Sequence, residues 1–165
     1  MTSLKIVDVK AFMSSLLVHN VFDNFLLTEM EINTLVRFQV NGDLNQNFFS
    51  TDEKEAMGER SYATWNEIKP FAYQVMKGNK TPSSFKMVFL LSQSNLENII
   101  QKNQINFRTE DIGGLFINIR YDSNGLYIVT GTSIKIFTLD KSMDHIWDRD
   151  VKKFLKFHEI AFEEE

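Results

Sequence analysis

A chain of 165 residues with 43% hydrophobic and 24% charged side chains is long enough for one ordinary globular domain, or for two small lobes sharing a core, and carries no composition of disorder. It has no cysteine, which excludes disulfides, thiolate nucleophiles and Cys-ligated zinc or iron–sulfur sites. A formal net charge of −4 argues against a general affinity for nucleic acid or an anionic membrane, although a local basic face is compatible with it.

The fifteen Phe point to a well-filled core, the commoner destination of aromatics, ahead of an apolar docking surface. The longest uninterrupted apolar run, Met87 to Leu91, is far shorter than the roughly 20 residues that span a bilayer. MTSLKIVDVKAF has no apolar signal core, so the expected compartment is the cytoplasm, with no membrane partner.

Ser3 to Val7 reads as a short strand, and Asp8 as the N-cap of a helix with Val9, Phe12, Met13, Leu16 and Leu17 on its inner face, stopping near Asn20. Phe22 to Ile32 reads as a second strand, followed by Thr34 to Val40, an Asn41-Gly42 turn signal and a weaker apolar segment ending at Phe48-Phe49. Ser50 to Arg60 is charged with little to bury, the pattern of a solvated linker. Thr64-Trp65-Asn66-Glu67 is a capping box opening a helix through Ile68, Phe71, Ala72, Val75 and Met76 to a left-handed Gly78, with Pro70 expected to bend it. Phe85 to Leu91 predicts a strand buried on both faces, and Ser94-Asn95-Leu96-Glu97 a second capping box opening a short helix.

Between Gly113 and Asp140, Leu115, Ile117 and Ile119 alternate with Phe116, Asn118 and Arg120, and the pattern resumes after Asn124-Gly125 with Leu126 and Ile128. This is a hairpin with Asn-Gly at its turn, extended by a third strand after a break at Gly131. Asp140 or Ser142 then caps a last helix that turns Met143, Ile146, Trp147, Val151, Phe154 and Leu155 inward. Asp148 and Lys152 read as an exposed i,i+4 pair, and Glu163 to Glu165 as a frayed acidic tail.

Arg37-Phe38-x-x-Asn41-Gly42 and Arg120-Tyr121-x-x-Asn124-Gly125 share their key residues, and Ser3-Leu4-Lys5-Ile6-Val7 parallels Ser84-Phe85-Lys86-Met87-Val88. Asn-Gly and alternating apolar residues are common enough for two hairpins to coincide; a true duplication would make residues 3–49 and 84–140 two βαββ units. The reading is a single α+β domain over 1–165, with a linker and bent helix at 50–80 and a C-terminal helix at 142–160. Its element order is similar to that of sliding clamps, in topology only, with no clamp motif.

LKIVDVKAFM, FDNFLL, KGNKTPSSFKMVFLLS and DIGGLFINIRYD with TGTSIKIFTLDKSMDHIW together resemble a family of uncharacterised bacterial proteins known only as a domain of unknown function. The resemblance runs from Leu4 to about Phe154 and is most specific at IRYD…TGTSIKIFTLD. It implies one unit of conserved length, and it transfers no catalytic residue.

Candidate chemistry is sparse. His19, His145 and His158 are far apart in sequence; Asp144, His145 and Asp148 share a helix, yet acidic residues in a first helical turn are favoured by the dipole without any metal. Ser83 with Lys86, and Thr132 with Lys135, place hydroxyl and amine on opposite sides of a strand, and no GxSxG elbow, Gly-rich phosphate loop or dinucleotide fingerprint is present. No catalytic residue, metal site or cofactor is expected.

The binding candidates are Arg37, Arg120 and Tyr121. Two arginines placed by pseudo-symmetry would anchor an anion or an acidic partner; alternatively each is an outward strand residue paired with a nearby carboxylate. The expected role is a non-catalytic interaction or assembly module with a protein partner or a second copy of itself. The alternatives are a clamp-like nucleic-acid accessory protein, or a small-molecule binder or enzyme using a cleft between lobes.

Overall fold

The alternating segments are strands in the computed structural model, which describes residues 1–165, and they join into one sheet. β1 (Ser3–Ile6), β2 (Leu26–Asn33), β3 (Arg37–Asn41), β4 (Ser84–Leu90), β5 (Ile112–Asp122), β6 (Gly125–Ile134) and β7 (Phe162–Glu164) pair antiparallel in the order β3-β2-β4-β5-β6-β1-β7. The helices are α1 (Val9–Leu17), α2 (Thr51–Met57), α3 (Trp65–Met76), α4 (Gln93–Asn103) and α5 (Ser142–Phe157). The fold is α+β.

Period-two alternation sorts the strand residues into two faces. Leu4, Ile6, Met30, Ile32, Met87, Phe89, Ile117, Ile119, Leu126 and Ile128 are buried on one of them, in a cluster of 28 buried residues shared with Phe12, Leu16, Trp65, Leu96, Trp147 and Val151 of the helices. Trp65 Nε1 donates to Leu16 O at 2.8 Å, joining α3 to α1. Trp147 Nε1 donates to Phe116 O at 2.9 Å, fastening α5 to the sheet, and Arg149 Nη2 donates to Asn103 Oδ1 at 3.0 Å, setting α5 beside α4. The residues between them, among them Ser3, Lys5, Lys86, Val88, Asn118, Arg120, Tyr127 and Val129, are half-buried or exposed.

Local signals behave as the residues dictate in several places. Asp8 Oδ1 accepts from Ala11 N at 3.0 Å, and Thr64 and Glu67 form the reciprocal capping box at the start of α3. Pro70 lies inside that continuous helix.

Elsewhere the structure corrects the reading. The order βαββ does recur, as β1-α1-β2-β3 and β4-α4-β5-β6, but the pairing does not: β4 pairs with β5 of its own block, whereas β1 pairs with β6 and β7. The two blocks share one sheet, and a duplication is not confirmed. β2 begins at Leu26, and Phe22 and Phe25, in the preceding turn, are buried instead as aromatic core.

The β2–β3 turn falls at Thr34-Leu35-Val36, since Asn33 pairs with Arg37. Asn41-Gly42 has another purpose: a Cβ on Gly42 would lie 1.6 Å from Leu27 O, so glycine is needed there for close backbone approach. Ser50 to Arg60 contains α2, begun by a Ser50–Glu53 capping box and burying nothing. α4 starts from Ser92 with no side-chain cap bond, two residues before the expected box. β4 alternates buried and half-buried residues, because no helical layer covers its second face.

In the β5–β6 hairpin Asp122 pairs with Gly125, which places Ser123-Asn124 at the turn, with Gly125 at φ +129°. β6 runs through Gly131 unbroken, and no third strand follows Ile134. Asp148 does not pair with Lys152: its carboxylate accepts from Thr130 Oγ1, and Lys152 Nζ reaches Glu164 at 2.9 Å. The expected tail is the edge strand β7, with Phe162 opposite Ile6 and Glu164 opposite Leu4. No helix is long and apolar enough to cross a membrane.

Candidate functional site

Strand register builds a row of side chains across the uncovered face of the sheet. Glu31 on β2 stands opposite Lys86 on β4, Lys86 opposite Arg120 on β5, Arg120 opposite Tyr127 on β6, and Tyr127 opposite Lys5 on β1. Directly opposed side chains of this kind are about 5 Å apart at Cβ and interact. Lys5 Nζ sits 5.7 Å from the centre of the Tyr127 ring, a cation–π contact. A shallow depression of about 420 Å³ opens here, lined by Ser3, Lys5, Arg120, Asp122, Asn124 and Tyr127.

The charges around it are unbalanced. Lys86 Nζ is neutralised by Glu29 at 3.0 Å, and Asp122, which accepts from the amide of Asn124 at 2.8 Å, is the one carboxylate lining the depression, against the two cations Lys5 and Arg120. Lys5 and Arg120 enter no ion pair, unlike the other cations of the sheet, Arg37 and Lys86. They stand two strand spacings apart, about 10 Å, with an aromatic ring between them. Such a surface attracts carboxylates or other anions, and its half-buried Val88, Phe116 and Val129 add apolar contact area.

Of the three residues singled out in the sequence, Arg120 alone lines this depression. Arg37 lies on the edge strand β3, three strands from Arg120. Its Nε donates to Asn33 Oδ1 at 3.1 Å and is 3.5 Å from Glu31 Oε1, the arrangement of an outward strand residue with a local carboxylate. Tyr121 faces the opposite side of β5 from Arg120, and its ring stacks on Phe85 at 5.3 Å. The structure therefore does not bring Arg37 and Arg120 together. Tyr127 comes opposite Arg120 through the local β5–β6 hairpin, whereas Lys5 joins them only through the β1–β6 pairing, across more than a hundred residues, which no local pattern contains.

The other polar groups serve local structure. Asp144 and Asp148 accept from the hydroxyls of Thr132 and Thr130, while His145 is exposed. No group of three or more His, Asp or Glu side chains is placed to hold a metal ion. Ser83 Oγ donates to Asn33 O at 3.3 Å. The Arg60 guanidinium grips Glu67 through Nη1 and Nη2, at 2.5 and 2.9 Å, and holds its carboxyl down to a pKa of about 2. That pair anchors the start of α3.

A family model described as a family of unknown function (DUF5721) matches residues 15–163. No curated protein and no solved structure matches the chain.

Proposed function

We propose an interaction module for this chain, which belongs to the family of unknown function DUF5721: it docks an acidic protein partner on the uncovered face of its sheet. The observation that supports this reading is the pair Lys5 and Arg120, flanking Tyr127 and unmatched by any carboxylate within ion-pair distance. An incoming carboxylate meets a bidentate guanidinium donor and an ammonium without first displacing an internal partner. Half-buried valines and Phe116 beside them supply the contact area that charge alone lacks. The compartment we propose is the cytoplasm.

The test is a pull-down from lysate of the producing cell, with and without nuclease, comparing the wild type with the Lys5→Glu/Arg120→Glu double variant. A protein captured in both nuclease conditions, and lost with the double variant and at high salt, is the expected result. Capture that disappears with nuclease would transfer the face to single-stranded nucleic acid, for which a ring between two cations is also suited. Capture unchanged by the double variant would remove the sheet face as the interface.

A further inference from the structure

A second cavity, of about 400 Å³, opens on the helical side of the molecule, far in character from the charged depression. It is bounded by the turn between α1 and β2, the first turn of α4 and the end of α5. Its apolar wall is aromatic: Phe25 and Phe154 meet edge to face at 5.6 Å and 90°, and Phe154 is followed by His158 at 4.6 Å. Phe25 is held from behind by a stacked Phe89 at 6.0 Å, so the wall is rigidly backed by the core.

The rim is polar and unused. The side chains of Asn20, Asn24, Asn95 and His158 all line the cavity, and none of them makes a hydrogen bond within the chain. Three carboxamides, each with donor and acceptor, and one imidazole thus converge on an aromatic wall without internal partners. No Lys, Arg, Asp or Glu lines the cavity. Its volume falls in the range of about 300–1,000 Å³ usual for small-molecule sites, and apolar walls with a few convergent polar groups are their usual make-up.

We propose that this cavity binds a small, planar, uncharged nitrogen heterocycle of nucleobase size. The flat ring packs against Phe25 and Phe154, and its edge exchanges hydrogen bonds with Asn24, Asn95 and His158. Carboxamides match the paired donor and acceptor edges of such rings, as they do when Asn reads adenine, and ring stacking tolerates any base. With no lining cation, a phosphate on the ligand gains no charge-assisted contact there. This inference is independent of the sheet face and concerns a different surface.

The experiment is ¹⁵N-edited NMR titration of the full chain with adenine, cytosine, adenosine and adenosine monophosphate, alongside the Asn24→Ala/Asn95→Ala double variant. Both asparagines are exposed, so the variant keeps its fold, and its own spectrum verifies that. Saturable shifts of the Phe25, Asn95 and His158 amides by at least one uncharged probe, weakened about tenfold or more in the variant, are expected. The monophosphate should bind no more tightly than adenosine. The proposal is overturned if none of the four probes shifts these amides at about millimolar concentration. Binding indifferent to the two substitutions, or a clear preference for the monophosphate, would overturn it equally.

Discussion

Leu115, Ile117 and Ile119 leave β5 toward the helices and are almost free of solvent, whereas Phe116, Asn118 and Arg120, each one residue away, face outward from the same strand. The two faces differ in what they leave unsatisfied. On the covered face every polar group that is buried has a partner: Thr130 accepts from Thr2 N at 2.8 Å and donates to Asp148, and the two tryptophan N–H groups each find a carbonyl. On the uncovered face Lys5 and Arg120 remain unmatched beside Tyr127. The contrast teaches that burial enforces satisfaction, because a lone polar group is costly there, while solvent lets a cation wait for an external partner.

Substitutions on the two faces should therefore have opposite signatures, and the largest effect belongs to the covered face. Trp147→Ala removes a side chain that is 3% exposed together with its bond to Phe116 O, and is expected to cost about 3–5 kcal/mol in chemical denaturation. A near-neutral result would mean that α5 does not pack as described and that Trp147 belongs to a docking surface. Thr130→Val keeps the shape but strands the Thr2 amide and leaves Asp148 with only the Met1 ammonium at 3.3 Å, for an expected loss of about 1–3 kcal/mol. Thr130→Ser, which keeps the hydroxyl, should recover most of it.

The ion pair of Arg60 with Glu67 gives a smaller effect with a pH signature. Glu67 titrates near 2 in the folded chain against an ordinary value of 4.5, so the folded state holds the carboxylate more strongly than the unfolded one. A depressed carboxyl pKa contributes stability that is fully present above about pH 4.5 and fades as the pH falls toward 2. Because Glu67 is partly exposed, Arg60→Ala should cost only about 1 kcal/mol at pH 7. The difference between wild type and variant should shrink between pH 4.5 and 2 in acid denaturation; a gap that persists at pH 2 would assign the loss to the bond from Arg60 to Tyr62 O. The smallest stability change is expected on the uncovered face, where Lys5→Ala and Arg120→Ala should each stay within about 0.5 kcal/mol while weakening capture of the partner.

Much of this architecture was legible from residues that act on near neighbours. Asp8, Thr64 and Glu67 cap their helices because the amides they satisfy lie within three residues, and the β5–β6 hairpin follows from alternation around one turn. The inward set of α5, with Met143, Trp147, Val151 and Leu155 all buried, follows from helical period alone. Arg120 was recognisable as an outward strand residue, and the same period-two rule sends Tyr121 to the other side.

What tertiary structure alone decided depends on contacts between distant segments. Asn41-Gly42 carries the same letters as Asn124-Gly125, but Gly42 serves a close approach to Leu27 that no local pattern contains. The acidic end of the chain becomes β7 because β1 offers it a free edge, and Asp148 turns to Thr130 rather than Lys152 because β6 lies beneath α5. The depression holding Lys5, Arg120 and Tyr127 exists only once β1 pairs with β6. Short-range forces set caps, turns and periods within a few residues, whereas strand order is chosen by which distant segments bury the most apolar surface together; the arrangement of side chains on the uncovered face is a product of the second process.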